Sequence, residues 1–157
     1  MKKRINWKVF IVCLGIVYFV AFIGSLFVDG KTNSAWYNSV KPVITPPGWV
    51  FPIVWNILFF LIALSLYLVW IYAKPKDKKG IVIIFGINLF LNVLWSFFYF
   101  TLENPFFAFL DIVLLWASIV GMMIFLWRVH REATPLIVPY FIWVSFATVL
   151  NWLSLGM

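Results

Sequence analysis

The chain has 157 residues, of which 65% are hydrophobic and only 11% charged, and it carries a net charge of +7. Its mean hydropathy of +1.04, set against the roughly one-quarter charged content of soluble domains, excludes an ordinary soluble fold and points to an integral membrane protein. A bilayer core about 30 Å thick takes roughly 20 apolar residues per helix, so the spans use nearly all of the length and leave no room for a soluble catalytic domain.

Lys2, Lys3, Arg4 and Lys8 precede a first apolar run over about 9–28. The charge order is that of a signal peptide, but the run is about 20 residues long and ends without a clear small-x-small cleavage site. It reads as a retained first helix. The connector 29–46 follows; its Pro42 and Pro46, with Pro47 beyond, bar regular helix. A second run begins near Pro47, where a missing N–H costs little in a first turn, and stops near Ala73 at KPKDKKG. Further runs cover about 81–102, 106–127 and 134–156, separated by Glu103-Asn104-Pro105 and by RVHRE. The expected fold is an all-α membrane protein, a five-transmembrane-helix bundle forming one domain over 1–157, with short connections that make neighbours antiparallel. Pro135 and Pro139 predict a bend near Pro139 in the last helix.

Ten Lys and Arg residues flank the membrane on one side (the N-terminus, the 74–79 connection, Arg128 and Arg131), and Lys31 and Lys41 alone on the other. The positive-inside rule then places the N-terminus in the cytoplasm, in a bacterial cell membrane. The basic charge is a topology signal, and no nucleic-acid partner is expected. Trp7, Trp70, Trp127, Trp36, Trp49 and Trp152 fall at helix ends, where interfacial belts collect such rings. Trp55, Trp95, Trp116 and Trp143 lie deeper.

A rise of about 1.5 Å per residue puts Trp95 and Asp111 about 9 Å below the non-cytoplasmic surface, Trp55 about 12 Å, Asn92 and Ala147 about 15 Å and Trp143 about 20 Å. Asn88, Asn92, Trp95 and Tyr99 form one helical stripe; Trp55, Phe59 and Ile62 form another, and Trp143, Ala147 and Leu150 a third. If these stripes face inward, they enclose an aromatic cavity with a few polar groups. Asp111 is the only acid well inside an apolar run. A charge at a helix centre costs about 2.5 to 17 kcal/mol depending on method, so this side chain should face protein or a wet cavity, bonding either a neighbouring helix or connector, or a ligand. Asn92 has the same two readings, interhelical amide or ligand contact. Ala21 with Ser25, Ala117 with Gly121, and Gly86 would allow close helix approach and a homodimer.

No nucleophile, base and orienter set is visible. The one histidine, His130, reads as a solvated loop residue, and no zinc ligand set exists. Five helices with no internal repeat also fit poorly with a two-state carrier.

The segments WYNSVKP at 36–42, PPGWVFPIVW at 46–55, LNVLWSFFYF at 91–100, AFLD at 108–111 and PYFIWVSFATVLN at 139–151 resemble the TspO/MBR family of translocator proteins, peripheral benzodiazepine receptors and tryptophan-rich sensory proteins. The resemblance implies a five-helix bundle, often dimeric, whose cavity is capped by the first connector. It implies binding of protoporphyrin IX, haem and isoquinoline carboxamides as ligands, with no cofactor required. By matching position, Tyr37, Pro46, Trp55, Phe59, Trp95, Trp143, Ala147 and Leu150 would line the pocket, with Asn92 and Asp111 beneath or beside the connector. It further implies, in some bacterial members, light-dependent porphyrin breakdown in which Trp55 and Trp143 would react. Sterol transport is not expected: ATVLNWLSLGM ends the chain with no Lys or Arg after Arg131.

Overall fold

A computed structural model describes residues 5–156; Lys2, Lys3 and Arg4 of the basic N-terminus lie outside the described residues. Six α-helices form: α1 (Trp7–Val28), α2 (Ala35–Val40), α3 (Val50–Tyr72), α4 (Lys78–Ser96), α5 (Pro105–Val129) and α6 (Val138–Ser154). With their flanking helical turns, five stretches are long and apolar enough to cross a membrane. The short α2 belongs to the connector.

Local chemistry explains the boundaries. Asn6 caps α1 by accepting the Val9 N–H at 3.2 Å, Ser34 caps α2 through Tyr37 N–H at 3.1 Å, and Asn104 caps α5 through Phe107 N–H at 3.0 Å. Pro105 then occupies the first turn of α5, where its missing N–H is harmless. The connector expected to be irregular contains a turn of 3-10 helix (Lys31–Asn33) followed by α2, because the Ser34 cap supplies a start just before the proline run. α4 does not run on as regular helix to 102: Phe97–Thr101 widens into a π turn, closed by Leu102 N–H donating to Phe97 C=O at 3.0 Å. The chain reverses through Glu103, which has a left-handed φ of 48°.

The last span is the least regular. Residues Arg131–Ile137 are 3-10 helix, and α6 proper begins at Val138 with Pro139 in its first turn. The change of geometry expected near Pro139 is therefore spread over the preceding two turns. A carbonyl in this stretch finds a distant partner: Ser65 Oγ of α3 donates to Ala133 C=O at 3.0 Å.

Around the bundle, α1 packs on α3 and α4, α4 on α5, and α5 on α6, while the 3-10 stretch closes against α3 and α5. α3 meets α6 itself only lightly. The two spans are thus joined at one end, where His130 stacks on Tyr72 with ring centroids 4.3 Å apart and planes 9° apart, and part towards the other. His130 is half-buried rather than solvated, because this stack and a 3.7 Å approach to Glu132 hold it against the end of α3. The core runs through Val17, Ile62, Ile81, Ile119, Met122 and Leu126, all with no solvent exposure. Exposed rings and branched side chains such as Ile11, Phe19, Phe22, Phe90 and Ile124 cover the outside, as lipid solvent requires.

Gly121 is used within this bundle: a Cβ there would lie 3.8 Å from Ile84 of α4, whereas one at Gly86 would meet nothing within 4 Å. Gly80 has the tightest surroundings. A Cβ would sit 2.8 Å from the Phe125 ring. Gly80→Val should therefore destabilise the bundle by about 1–3 kcal/mol through overpacking of α4 on α5, whereas Gly86→Val should cost less than about 1 kcal/mol; thermal unfolding of the two variants in detergent checks the contrast.

Candidate functional site

The polar stripe of α4 meets the last span rung by rung. Asn92 Nδ2 donates to Tyr140 OH at 3.2 Å, and Tyr140 OH donates to Asn88 Oδ1 at 3.2 Å. Asn88 Nδ2 passes the chain to Ser118 Oγ of α5 at 2.8 Å, which donates to Leu115 C=O at 2.7 Å. Nearer the connector, Trp95 Nε1 donates to Asn151 Oδ1 at 2.9 Å, and Asn151 Nδ2 donates to Pro105 C=O at 2.9 Å. Tyr99 and Ser154 share a bond of 3.0 Å. Since the Ser154 hydroxyl already donates to Leu150 C=O, Tyr99 is the donor. α4 and α6 are not closely packed helices. Their long side chains span the interior between them.

The aromatic residues divide into two groups. One lies under the connector: Trp95 stacks on Tyr99 at 5.2 Å, and Tyr99 receives the edges of Trp36 at 5.5 Å and Tyr37 at 6.4 Å. Phe100 joins them, 5.7 Å from Tyr37. The π turn brings Tyr99 and Phe100 inward together, and both are buried. Burial among these rings pushes the Tyr37 phenol above its ordinary pKa, and Tyr99 adds to the shift.

The second group lines the parting between α3 and α6. Trp55 stacks on Phe59 at 5.4 Å and meets Tyr140 edge-on at 6.2 Å. Phe51 meets Trp143 at 5.8 Å, and Phe146 lies 5.8 Å from Trp143. Phe51 is at the very start of α3, whereas Trp143 is eleven residues before the end of α6. α3 therefore starts below the level where α6 ends, and the connector through Pro46 leads down to it. Trp55, Phe59, Trp143 and Ala147 are half-buried, and so is Pro46; Leu150 is buried.

A description of the TspO/MBR family matches residues 11–155. The chain belongs to the TspO/MBR family. It is 39% identical over 146 residues to the tryptophan-rich protein TspO of Chlorobaculum tepidum, covering 92% of both chains. It is 31% identical over 134 residues to the human translocator protein, covering 83% of this chain and 79% of that one. The tryptophan-rich sensory protein of Cereibacter sphaeroides is 28% identical over 149 residues, covering 94% and 90%.

Within this TspO/MBR bundle, the predicted residues fall into distinct settings. Trp55, Phe59 and Trp143 belong to the α3–α6 parting; Tyr37 and Trp95 belong to the cluster beneath the connector; Asn92 is a rung of the α4–α6 ladder. Trp95 also packs against the main core, so it adjoins both hydrophobic clusters. Asp111 is 3% exposed, and its Oδ2 has no hydrogen-bond partner among the described residues. The helix or connector bond expected for it is not formed by that oxygen. Two surface recesses, of about 370 and 340 Å³, lie at the rim and include none of these residues; the larger is bordered by Trp36, Glu103 and Ser154. Among the described residues no group of three or more His, Cys, Asp or Glu side chains could hold a metal.

Beside Ser118 on α5, three partners on the last span were missed in the sequence reading: Tyr140, Asn151 and Ser154. They share the spacing 140, 144, 147, 151, 154, a second helical stripe beside the Trp143 stripe, and that periodicity is the signal that could have found them. Trp116, deep in sequence, clamps the outside: it is 37% exposed and donates to Ser145 Oγ at 2.9 Å. Trp36, which falls at a span end, packs edge-on against Tyr99. Tyr99→Leu removes the platform beneath Trp36 and Tyr37, each such pair being worth about 0.5–1.5 kcal/mol. Limited proteolysis should cleave the 29–49 connector faster in this variant while Tyr99→Phe stays close to wild type.

Proposed function

We propose that this membrane protein binds porphyrins, protoporphyrin IX and haem among them, and isoquinoline-carboxamide-type ligands in the aromatic parting between α3 and α6, and that it serves to sense or regulate tetrapyrrole or oxidative stress. The observation that carries the proposal is the pair of half-buried indoles, Trp55 and Trp143, on opposite walls of a place where two spans separate. Flat, largely apolar rings suit such a site: indole and phenyl faces supply stacking area, while a few polar groups fix orientation. Phe51, Phe59 and Phe146 extend the same surface, and half-buried Pro46 would complete it from the connector. Haem would be held through its macrocycle, since the single histidine stacks on Tyr72 at the opposite end of α3.

Light- and oxygen-dependent breakdown of bound protoporphyrin IX is the second reading, favoured by the same two indoles, which would lie against the photoexcited ring. Translocation ranks third.

The positive-inside count supports an N-terminus in the cytoplasm of a bacterial cell membrane. The apolar outer faces of α1 and α4, with open space around Gly86, support a homodimer.

Titration of the purified protein with protoporphyrin IX in the dark should give saturable quenching of tryptophan fluorescence. Trp55→Phe and Trp143→Phe should each weaken it several-fold, in line with about 0.5–1.5 kcal/mol for a weakened stacking contact; unsaturable quenching would leave the rings as core packing only. On illumination, loss of a new absorbing product in Trp143→Phe would establish the degradation reading, and an unchanged yield in that variant would remove Trp143 from it.

A further inference from the structure

Every polar side chain of the α4–α6 ladder has a partner, from Ser154 and Tyr99 through Asn151 and Trp95 to Asn92, Tyr140, Asn88 and Ser118. Asp111 stands among them as the exception. On α5 it lies between Pro105, whose carbonyl accepts from Asn151, and Ser118, which accepts from Asn88; it shares a helix face with Ser118 seven residues on. It is 3% exposed, and its Oδ2 is unpartnered.

The elements packed on α5 offer it no cation. α4 presents Asn88, Asn92 and Trp95, with Lys78 and Lys79 at its far end. The last span presents Tyr140 and Asn151, with His130, Arg131 and Glu132 at its far end. The π turn presents Tyr99, and at the rim Lys31 is engaged with Thr101 Oγ1 at 3.1 Å. The only ion pair among the described residues joins His130 and Glu132. A carboxylate in a largely buried side chain, with no counter-ion and with Oδ2 lacking a donor, is a costly state, and neutralisation by a proton relieves it.

We infer that Asp111 is a proton-binding site built into the wall of the bundle, its neutral carboxylic acid being the form that lets α4, α5 and α6 close around the ladder. Removing the proton would place an uncompensated negative charge between two rungs and force the seam to take up water or open. Closure of the seam and retention of the proton are therefore coupled, so the closed bundle loses stability as rising pH removes the proton.

The test is infrared spectroscopy of the purified protein in lipid nanodiscs across neutral to alkaline pH, with thermal unfolding on the same samples. Wild type should show at neutral pH a protonated-carboxyl C=O band that Asp111→Asn abolishes and Asp111→Glu shifts. The wild-type melting temperature should fall relative to that of Asp111→Asn as the pH rises and the band disappears. Should Asp111→Asn fail to fold, the shift of the band in Asp111→Glu decides. No protonated-carboxyl band at neutral pH, a band unchanged by both substitutions, or a pH dependence of melting shared by wild type and Asp111→Asn would each overturn the inference. Porphyrin titration plays no part in these readouts, so their failure is separate from failure of the proposed binding function.

Discussion

The structure depends on a constraint set by its solvent. Lipid offers no hydrogen bonds, so each polar side chain within the spans must find its partner inside the protein or bear the cost. α4 carries amide, indole and phenol groups along one stripe, and the last span answers with Tyr140, Asn151 and Ser154. Because the two helices stand apart, the bonds between Asn92 and Tyr140, Trp95 and Asn151, and Tyr99 and Ser154 act as struts of nearly fixed length. Individually such bonds are worth only about 0.6–2 kcal/mol in membranes. Their collective effect is to fix which faces of α4 and α6 look inward, and hence where Trp95 and Trp143 stand.

That arrangement divides the interior. On one side of the ladder, the connector settles through Trp36 and Tyr37 onto Tyr99 and Phe100, a platform created by the π turn at the end of α4. On the other, Trp55 and Trp143 face the parting of α3 and α6. The proline-containing 3-10 stretch packs on α3, and α6 beyond it meets α3 only lightly. Fold irregularity and candidate site thus adjoin: the 3-10 stretch takes the close contacts with α3, and α6 beyond it leaves the faces that carry Trp55 and Trp143 only lightly in contact.

Much of this was legible in the chain. Five apolar runs of bilayer length gave the spans, and the spacing of Asn88, Asn92, Trp95 and Tyr99 gave the inward face of α4. The partners of that face were harder to read. Tyr140 sits beside Pro139 at a span's beginning and Asn151 near its end, so neither stands out as a buried polar residue until its stripe is followed across the whole helix. The two aromatic groups were also merged, because depth and periodicity place a ring along and around its own helix but do not say which neighbour it meets. The π turn and the 3-10 stretch arise from tertiary packing and the Pro135 and Pro139 constraints together. His130 was misread for a similar reason: a polar loop in sequence can still fold its one flat side chain onto Tyr72.

The ladder is tested most directly by a double-mutant cycle on Trp95 and Asn151, comparing Trp95→Phe, Asn151→Leu and the double variant by reversible unfolding in bicelles. If the indole N–H to amide bond is a strut between α4 and α6, the two substitutions will be non-additive, with a coupling of about 0.6–2 kcal/mol. Additive effects within about 0.3 kcal/mol would contradict the account and leave the two side chains as independent core residues.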